Sequence, residues 1–123
     1  MEWIKIATQS ELVRVKTDEI AYVKADGNYS DLYLFSGRSH KMTFKLHFFN
    51  ETFERLHNNM FVRVGRSLIV NKRYIYIINL IEHKLVLSGK DLRGEFILTA
   101  SKEALTELKT TMEREKGGAD DEK

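Results

Sequence analysis

The alternation of apolar and polar residues divides this chain into short pieces. Trp3 to Ala7 and Leu12 to Val15 alternate with the period of two that half-buried strands show, and Gln9 and Ser10 form the turn between them. Ile20 to Ala25 predicts a third strand, with Ile20, Tyr22 and, less cleanly, Val23 as its apolar set. Asp26-Gly27-Asn28 is a turn cluster in which Gly27 and Asn28 both tolerate positive φ. The strand pattern resumes over Tyr29 to Phe35, with Leu32 and Leu34 on one face and Tyr33 and Phe35 on the other. Ser36-Gly37 is a second hairpin turn, from which Ser39 to Phe44 leads away. Three strands joined by short turns predict an antiparallel meander.

The period changes at residue 46. Leu46, Phe49, Phe53 and Leu56 recur at helical spacing, with Glu51, Glu54 and Arg55 elsewhere on the wheel. That predicts an amphipathic helix over 46–57, about three turns long, ended by Asn58-Asn59. Its N-cap is ambiguous in the sequence. Two β-prone runs follow, Phe61 to Val64 and Leu68 to Val70, around a Gly65-Arg66-Ser67 corner. Their apolar residues suit a core, whereas Arg63, Arg66 and Ser67 do not. A buried guanidinium needs a partner for its charge, so at least one arginine here faces water or an anion.

Beyond Lys72-Arg73, the runs Tyr74 to Ile81, Lys84 to Leu87 and Phe96 to Leu98 read as strands, with Ser88-Gly89-Lys90-Asp91 as a loop. Ser101 is placed to cap a terminal helix, and Glu103 suits its first turn. Ala104, Leu105, Leu108 and Met112 form the apolar stripe of that helix, Gly117-Gly118 ends it, and residues 119–123 read as a disordered tail. No βαβ units repeat, so a parallel sheet is not expected. The expected fold is mainly β with short α-helices. Antiparallel strands form small sheets, with one mid-chain and one C-terminal helix, in a single domain over residues 1–116 and a tail over 117–123.

Composition narrows the class. A chain of 123 residues fits one domain and buries roughly 65% of its unfolded surface, enough for a core without staples. With 42% hydrophobic and 31% charged residues it has the balance of a soluble globular protein. It has no cysteine, so disulfides, thiol nucleophiles and cysteine-based zinc sites are excluded. No apolar run approaches the ~18 residues of a membrane span and no signal pattern opens the chain, so a cytoplasmic protein without a membrane partner is expected. The net charge of +2 is uneven: residues 113–123 carry five acids and three bases, leaving 17 bases against 13 acids over 1–112. That mild excess suits an anionic partner.

Candidate chemistry is sparse. His40, His47, His57 and His83 include no pair at the i, i+4 spacing of a metal-binding helix, so no metal site is expected. Serines and histidines fall in no nucleophile–base spacing, Asp26 and Asp31 read as solvated carboxylates on a hairpin, and no glycine loop cradles a phosphate ahead of a helix. No catalytic residues, no cofactor and no enzymatic activity are expected. The basic residues say more. Arg63, Arg66, Lys72 and Arg73 lie within eleven residues, and Lys102 opens the last helix, where a cation opposes the helix dipole unless an anion lies near. These are either solvated charges on strand edges, where lysine guards against aggregation, or an anion-binding set.

The run Phe61-x-Arg63-x-Gly65-Arg66-Ser67-x-x-Val70-Asn71 resembles the signature of the LytTR DNA-binding domain family, usually Phe-x-Arg-x-His-Arg-Ser-x-x-Val-Asn. Ile20-Ala21-Tyr22-Val23 with the Gly27-Asn28-Tyr29 turn resembles the family's first hairpin. The helix from Leu46 to Leu56 is in the expected place, and Leu98-Thr99-Ala100-Ser101-Lys102 resembles the closing strand-to-helix step. The likeness covers roughly residues 10 to 112. It implies a β-domain in small sheets that reads double-stranded DNA with inter-strand loops in the major groove. The implied contacts are Asn28, Tyr29 and Ser30, the corner residues Arg66 and Ser67, and Lys102, with Arg63 and Lys72 as further cations. Arginine suits guanine O6 and N7, while lysine, serine and amides at a helix start suit phosphates. Arg63 either holds the corner or touches phosphate, and Asn71 supports the loop by local hydrogen bonds.

The resemblance implies sequence-specific binding by a bacterial transcriptional regulator, with two copies on repeated sites. Two features depart from the family. The usual histidine is Gly65, which removes a side chain and frees the backbone. The receiver domain commonly fused to such domains has no room in 123 residues, which places the phosphorylation switch in a separate regulatory or sensor protein, in a longer parent chain, or nowhere. Two alternatives stand beside this reading: a protein-interaction module that keeps the fold without binding DNA, and a single-stranded nucleic-acid binder stacking bases on Tyr22, Tyr29 and Tyr33.

Overall fold

In the computed structural model, which describes residues 2–89 and 94–115, ten strands form three antiparallel sheets, packed with two α-helices. The first sheet is the hairpin of β1 (Trp3–Ala7) and β2 (Leu12–Lys16). A single 3-10 turn at Thr17–Glu19 leads to the meander β3 (Ile20–Asp26), β4 (Tyr29–Leu34) and β5 (Ser39–Met42). Helix α1 (Leu46–Glu54) follows, and then the pair β6 (Phe61–Val64) and β7 (Leu68–Asn71) completes a five-stranded sheet of order β5-β4-β3-β7-β6. A second 3-10 turn at Lys72–Tyr74 precedes β8 (Ile75–Asn79), β9 (Lys84–Leu87) and β10 (Phe96–Thr99), ordered β10-β9-β8. Helix α2 (Lys102–Arg114) closes the described chain.

The five-stranded sheet is covered on both faces. On one side Val23, Leu32, Met42 and Ile69 pack against α1 and the β1–β2 hairpin, around Phe49 at 0% exposure. Burial of that one ring contributes about 2–3 kcal/mol. On the other side Ala21, Tyr22, Val64, Leu68 and Val70 pack against Leu85, Leu87 and Leu105 of the third sheet and α2. This explains why Ile20 to Val23 are all buried rather than alternating: a strand with both faces covered reads as a continuous apolar run. The expected split of β4 holds, with Leu32 and Leu34 in the first cluster and Tyr33 and Phe35 in the second.

Several boundaries differ from expectation: β4 ends at Leu34 and β5 at Met42, short of Phe35 and Phe44, and two others have a visible cause. Helix α1 stops at Glu54, not at residue 57. The Glu2 carboxylate accepts hydrogen bonds from the backbone N–H groups of His57 (3.2 Å) and Asn58 (3.1 Å), which takes the chain out of the helix. Leu56 still packs on the core from the exit turn. Strand β8 ends at Asn79, not Ile81, because the Asn79 side-chain oxygen accepts from the N–H groups of Ile81 (3.0 Å) and Glu82 (2.9 Å) and starts a turn. Within the β3–β4 turn only Gly27 takes positive φ (+63°), so Asn28 has an ordinary backbone. Ser101 caps α2 as expected, its Oγ accepting from the Ala104 N–H at 3.1 Å. Lys90, Asp91, Gly117-Gly118 and the tail lie outside the described residues.

Candidate nucleic-acid interface

Strand register gathers the site. Strand β3 lies between β4 and β7, with Lys24 opposite Leu68 and the Ala25 N–H bonded to the Ser67 carbonyl at 2.9 Å. The β6–β7 corner at Gly65-Arg66-Ser67 therefore meets β3 one step before β3 turns into β4 at Gly27-Asn28. Beyond the corner lies the start of α2. The two enclose an open groove of about 460 Å³ lined by Gly65, Arg66, Ser67, Ser101, Glu103 and Glu107, among others. Two turns and a helix start thus share one end of the molecule.

The corner is braced from within. Arg63 donates from Nε to the Gly65 carbonyl and from Nη2 to the Arg66 carbonyl, both at 3.1 Å, so its guanidinium closes the turn. Gly65 has φ +65°, and a Cβ there would lie 3.2 Å from the Cβ of Ala104 in the first turn of α2. Glycine suits this corner on both counts, since other residues resist that conformation and the helix stands close. Arg66 is exposed and makes no ion pair within 4 Å among the described residues. Lys102 is equally exposed at the start of α2, beside first-turn N–H groups that no helical carbonyl can reach.

Not every expected residue stands on this surface. Asn28 and Tyr29 are exposed in the hairpin turn, and Ser67 is exposed in the corner. Ser30 is 0% exposed and its hydroxyl donates to the Phe44 carbonyl at 2.8 Å, so it fastens β4 to the exit of β5. The Lys72 ammonium lies 2.6 Å from the Glu115 carboxylate at the far end of α2. A helix of 13 residues separates that end from Lys102 by about 18 Å. Asn71 is more than a local brace: its Oδ1 accepts from the Arg73 N–H, while its Nδ2 donates 3.0 Å to the carbonyl of Ile20. Tyr22 and Tyr33 stack on each other with centroids 4.4 Å apart and meet the edge of Phe96, which engages both in packing and leaves Tyr29 as the exposed ring of the three.

Sequence reasoning missed Lys41. On β5 it faces Asp31 across the sheet, and its ammonium lies 2.6 Å from Asp26 and 3.0 Å from Asp31, with the Tyr29 ring centroid at 5.8 Å. Asp26 and Asp31 are thus ion-paired rather than merely solvated. The hydrogen bond from Lys41 holds the Asp26 carboxyl below its usual range, and the bonds to Asp26 and Asp31 hold the ammonium above its own. The β4–β5 register, which no local pattern specifies, was the missing signal. Elsewhere His40 meets Glu11 and His47 meets Glu51, each at 3.0 Å, and no group of three metal-ligating side chains converges among the described residues. No helix among them is long and apolar enough to cross a membrane.

A small antiparallel β-domain that exposes cations on inter-strand turns has the layout of a loop-presenting nucleic-acid-binding module. The family model of the LytTr DNA-binding domain matches residues 10–113, and the chain belongs to that family. Among solved structures it is similar to the LytTr DNA-binding domain of a Bacillus cereus protein described as a methyl-accepting/DNA response regulator. That similarity has a TM-score of 0.62 at 16% identity over 91% of this chain and 97% of the other, a likeness of fold. No curated protein matches the sequence.

Proposed function

We propose that the chain binds double-stranded DNA sequence-specifically as the DNA-binding part of a bacterial transcriptional regulator, reading the major groove with its turns. The observation that carries this reading is the juxtaposition of the Gly27-Asn28 turn, the Arg66 corner and the start of α2, drawn together by the Ala25–Ser67 bond and the shared groove. Arg66 is the base reader: an exposed guanidinium on a braced corner suits bidentate contact with guanine. Asn28 and Tyr29 read or flank bases from the neighbouring turn. Ser67, Lys102 and the first amides of α2 take phosphates and set register. Lys41 keeps Asp26 and Asp31 from opposing the duplex. Two copies on repeated sites, and a separate regulatory protein, complete the proposal.

The test is selection of duplexes from a random library by the purified protein beside Arg66→Ala. The native protein should enrich a motif that blurs in the variant, with a loss of about 1–3 kcal/mol on the preferred site. No enrichment together with no binding at low salt would reject the reading. Equal loss on every sequence would move Arg66 to phosphate. One observation favours a protein-interaction module instead: Glu103 and Glu107 line the groove beside Arg66 and repel phosphate. Partner capture without low-salt DNA affinity would select that alternative.

A further inference from the structure

The outer face of the β1–β2 hairpin takes no part in the site described above. Its inward side chains, Ile4, Ile6 and Val15, are buried. Outward, the register stacks three rows: Trp3 with Lys16, Lys5 with Arg14, and Ala7 with Leu12. Trp3 is 46% exposed and Leu12 59%. Arg14 lies 4.5 Å and Lys16 5.3 Å from the Trp3 ring centroid. None of the three cations has a carboxylate within 4 Å among the described residues. The acids flanking the hairpin in sequence are engaged elsewhere: Glu2 with Asn58, Glu11 with His40 and Asp18 with Arg73.

Lys5 directly opposite Arg14 is a like-charge pair, which weakens a hairpin. Here Arg14 and Lys16 both lie over the Trp3 ring, whose aromatic face favours the two cations. Exposed tryptophan and arginine beside an apolar flank is the composition of a protein-binding hot spot. The Lys16 end of the hairpin adjoins the start of β3, whose seven residues run about 20 Å to the Gly27 turn. The Lys16 end of the face therefore lies well away from the Gly27 turn, whereas its Leu12 end adjoins Glu11, which pairs with His40 on β5.

We propose that this face docks an acidic segment of a partner protein in extended form. Its carboxylates, at alternate positions, meet Lys5, Arg14 and Lys16, and an apolar side chain meets Trp3 or Leu12. The spacing agrees, since rows two residues apart on a strand match alternate side chains of an extended peptide, at about 6.7 Å. Bidentate Arg14–carboxylate contact supplies the strongest polar term.

Trp3 is the chain's single tryptophan, so its fluorescence reports this face alone. The full chain is titrated at low salt with an octapeptide of alternating glutamate and leucine, with a glutamine–leucine octapeptide, and with a 20-base-pair duplex. The glutamate peptide should give a saturable change that the glutamine peptide does not. The Lys5→Glu/Arg14→Glu variant should weaken it about tenfold, and by more than it weakens the duplex. Lys5→Gln/Arg14→Gln serves if charge reversal impairs folding. No response, an equal response to the glutamine peptide, or full binding by the variants overturns the proposal. Displacement of the peptide by duplex assigns the face to phosphate and overturns it too.

Discussion

Asn71 joins the end of the corner's second strand to the start of the first meander strand, and removing its side chain should be costly. It is 0% exposed, donates to the Ile20 carbonyl at 3.0 Å and accepts from the Arg73 N–H at 3.0 Å. Asn71→Ala leaves a buried carbonyl without that donor, at about 1–3 kcal/mol, and removes a cap from the Lys72–Tyr74 turn, at about 1 kcal/mol. Together they lower stability by about 3 kcal/mol. For a chain of this length that is about 12 °C in Tm, read by thermal and urea melts. Asn71→Asp provides a finer check. Its ionised carboxyl would face the Ile20 carbonyl, so its folded-state pKa is raised above the unfolded value. The relative stability of this variant should therefore be highest below the unfolded pKa and fall as pH rises through the folded one. A loss under about 0.5 kcal/mol for Asn71→Ala, or no pH dependence in Asn71→Asp relative to the native chain, would refute the assignment.

Gly65→Ala should lower stability by about 1–3 kcal/mol through its positive φ and the close approach to Ala104, and a double-mutant cycle with Ala104→Gly in urea melts should show a coupling equal to the contact part alone. Lys102→Ala should weaken all duplexes alike and flatten the salt dependence of binding by roughly one, whereas Lys72→Ala, at the other end of α2, should leave that slope unchanged in fluorescence anisotropy. Burial first, and then the charges of Tyr33 and Asp31, push the Tyr22 phenol up to about 12. A free tyrosine ionises near 10, so the folded state keeps a proton the unfolded state has lost; stability should fall as pH rises from about 10 to about 12, and Tyr22→Phe should flatten that fall in pH-dependent melts.

What was legible before the structure was local. The meander, the Gly27 and Gly37 turns, the two amphipathic helices and the Ser101 cap each follow from residues within a few positions of one another. The errors were long-range. Helix α1 stops where Glu2, some 55 residues away, takes the amides of His57 and Asn58. Ser30, implied as a contact beside the first turn, is fully buried, because β5 returns beside it and the Phe44 carbonyl accepts from its hydroxyl. Lys72 looked continuous with the basic corner, yet strand β7 carries it away to Glu115.

By itself the sequence determined the element types, the antiparallel class and the presence of an exposed cation on a glycine corner, since these depend on side-chain period, turn chemistry and the cost of burying charge. The tertiary structure decided which turns share a surface. Pairing β3 between β4 and β7 places Gly27-Asn28 beside Gly65-Arg66-Ser67, and packing of α2 on Val64 and Leu68 brings Ser101 and Lys102 to the same end. That outcome rests on strand register and on burial of both faces of one sheet. Both depend on residues far apart in the chain, whose contacts no local pattern specifies.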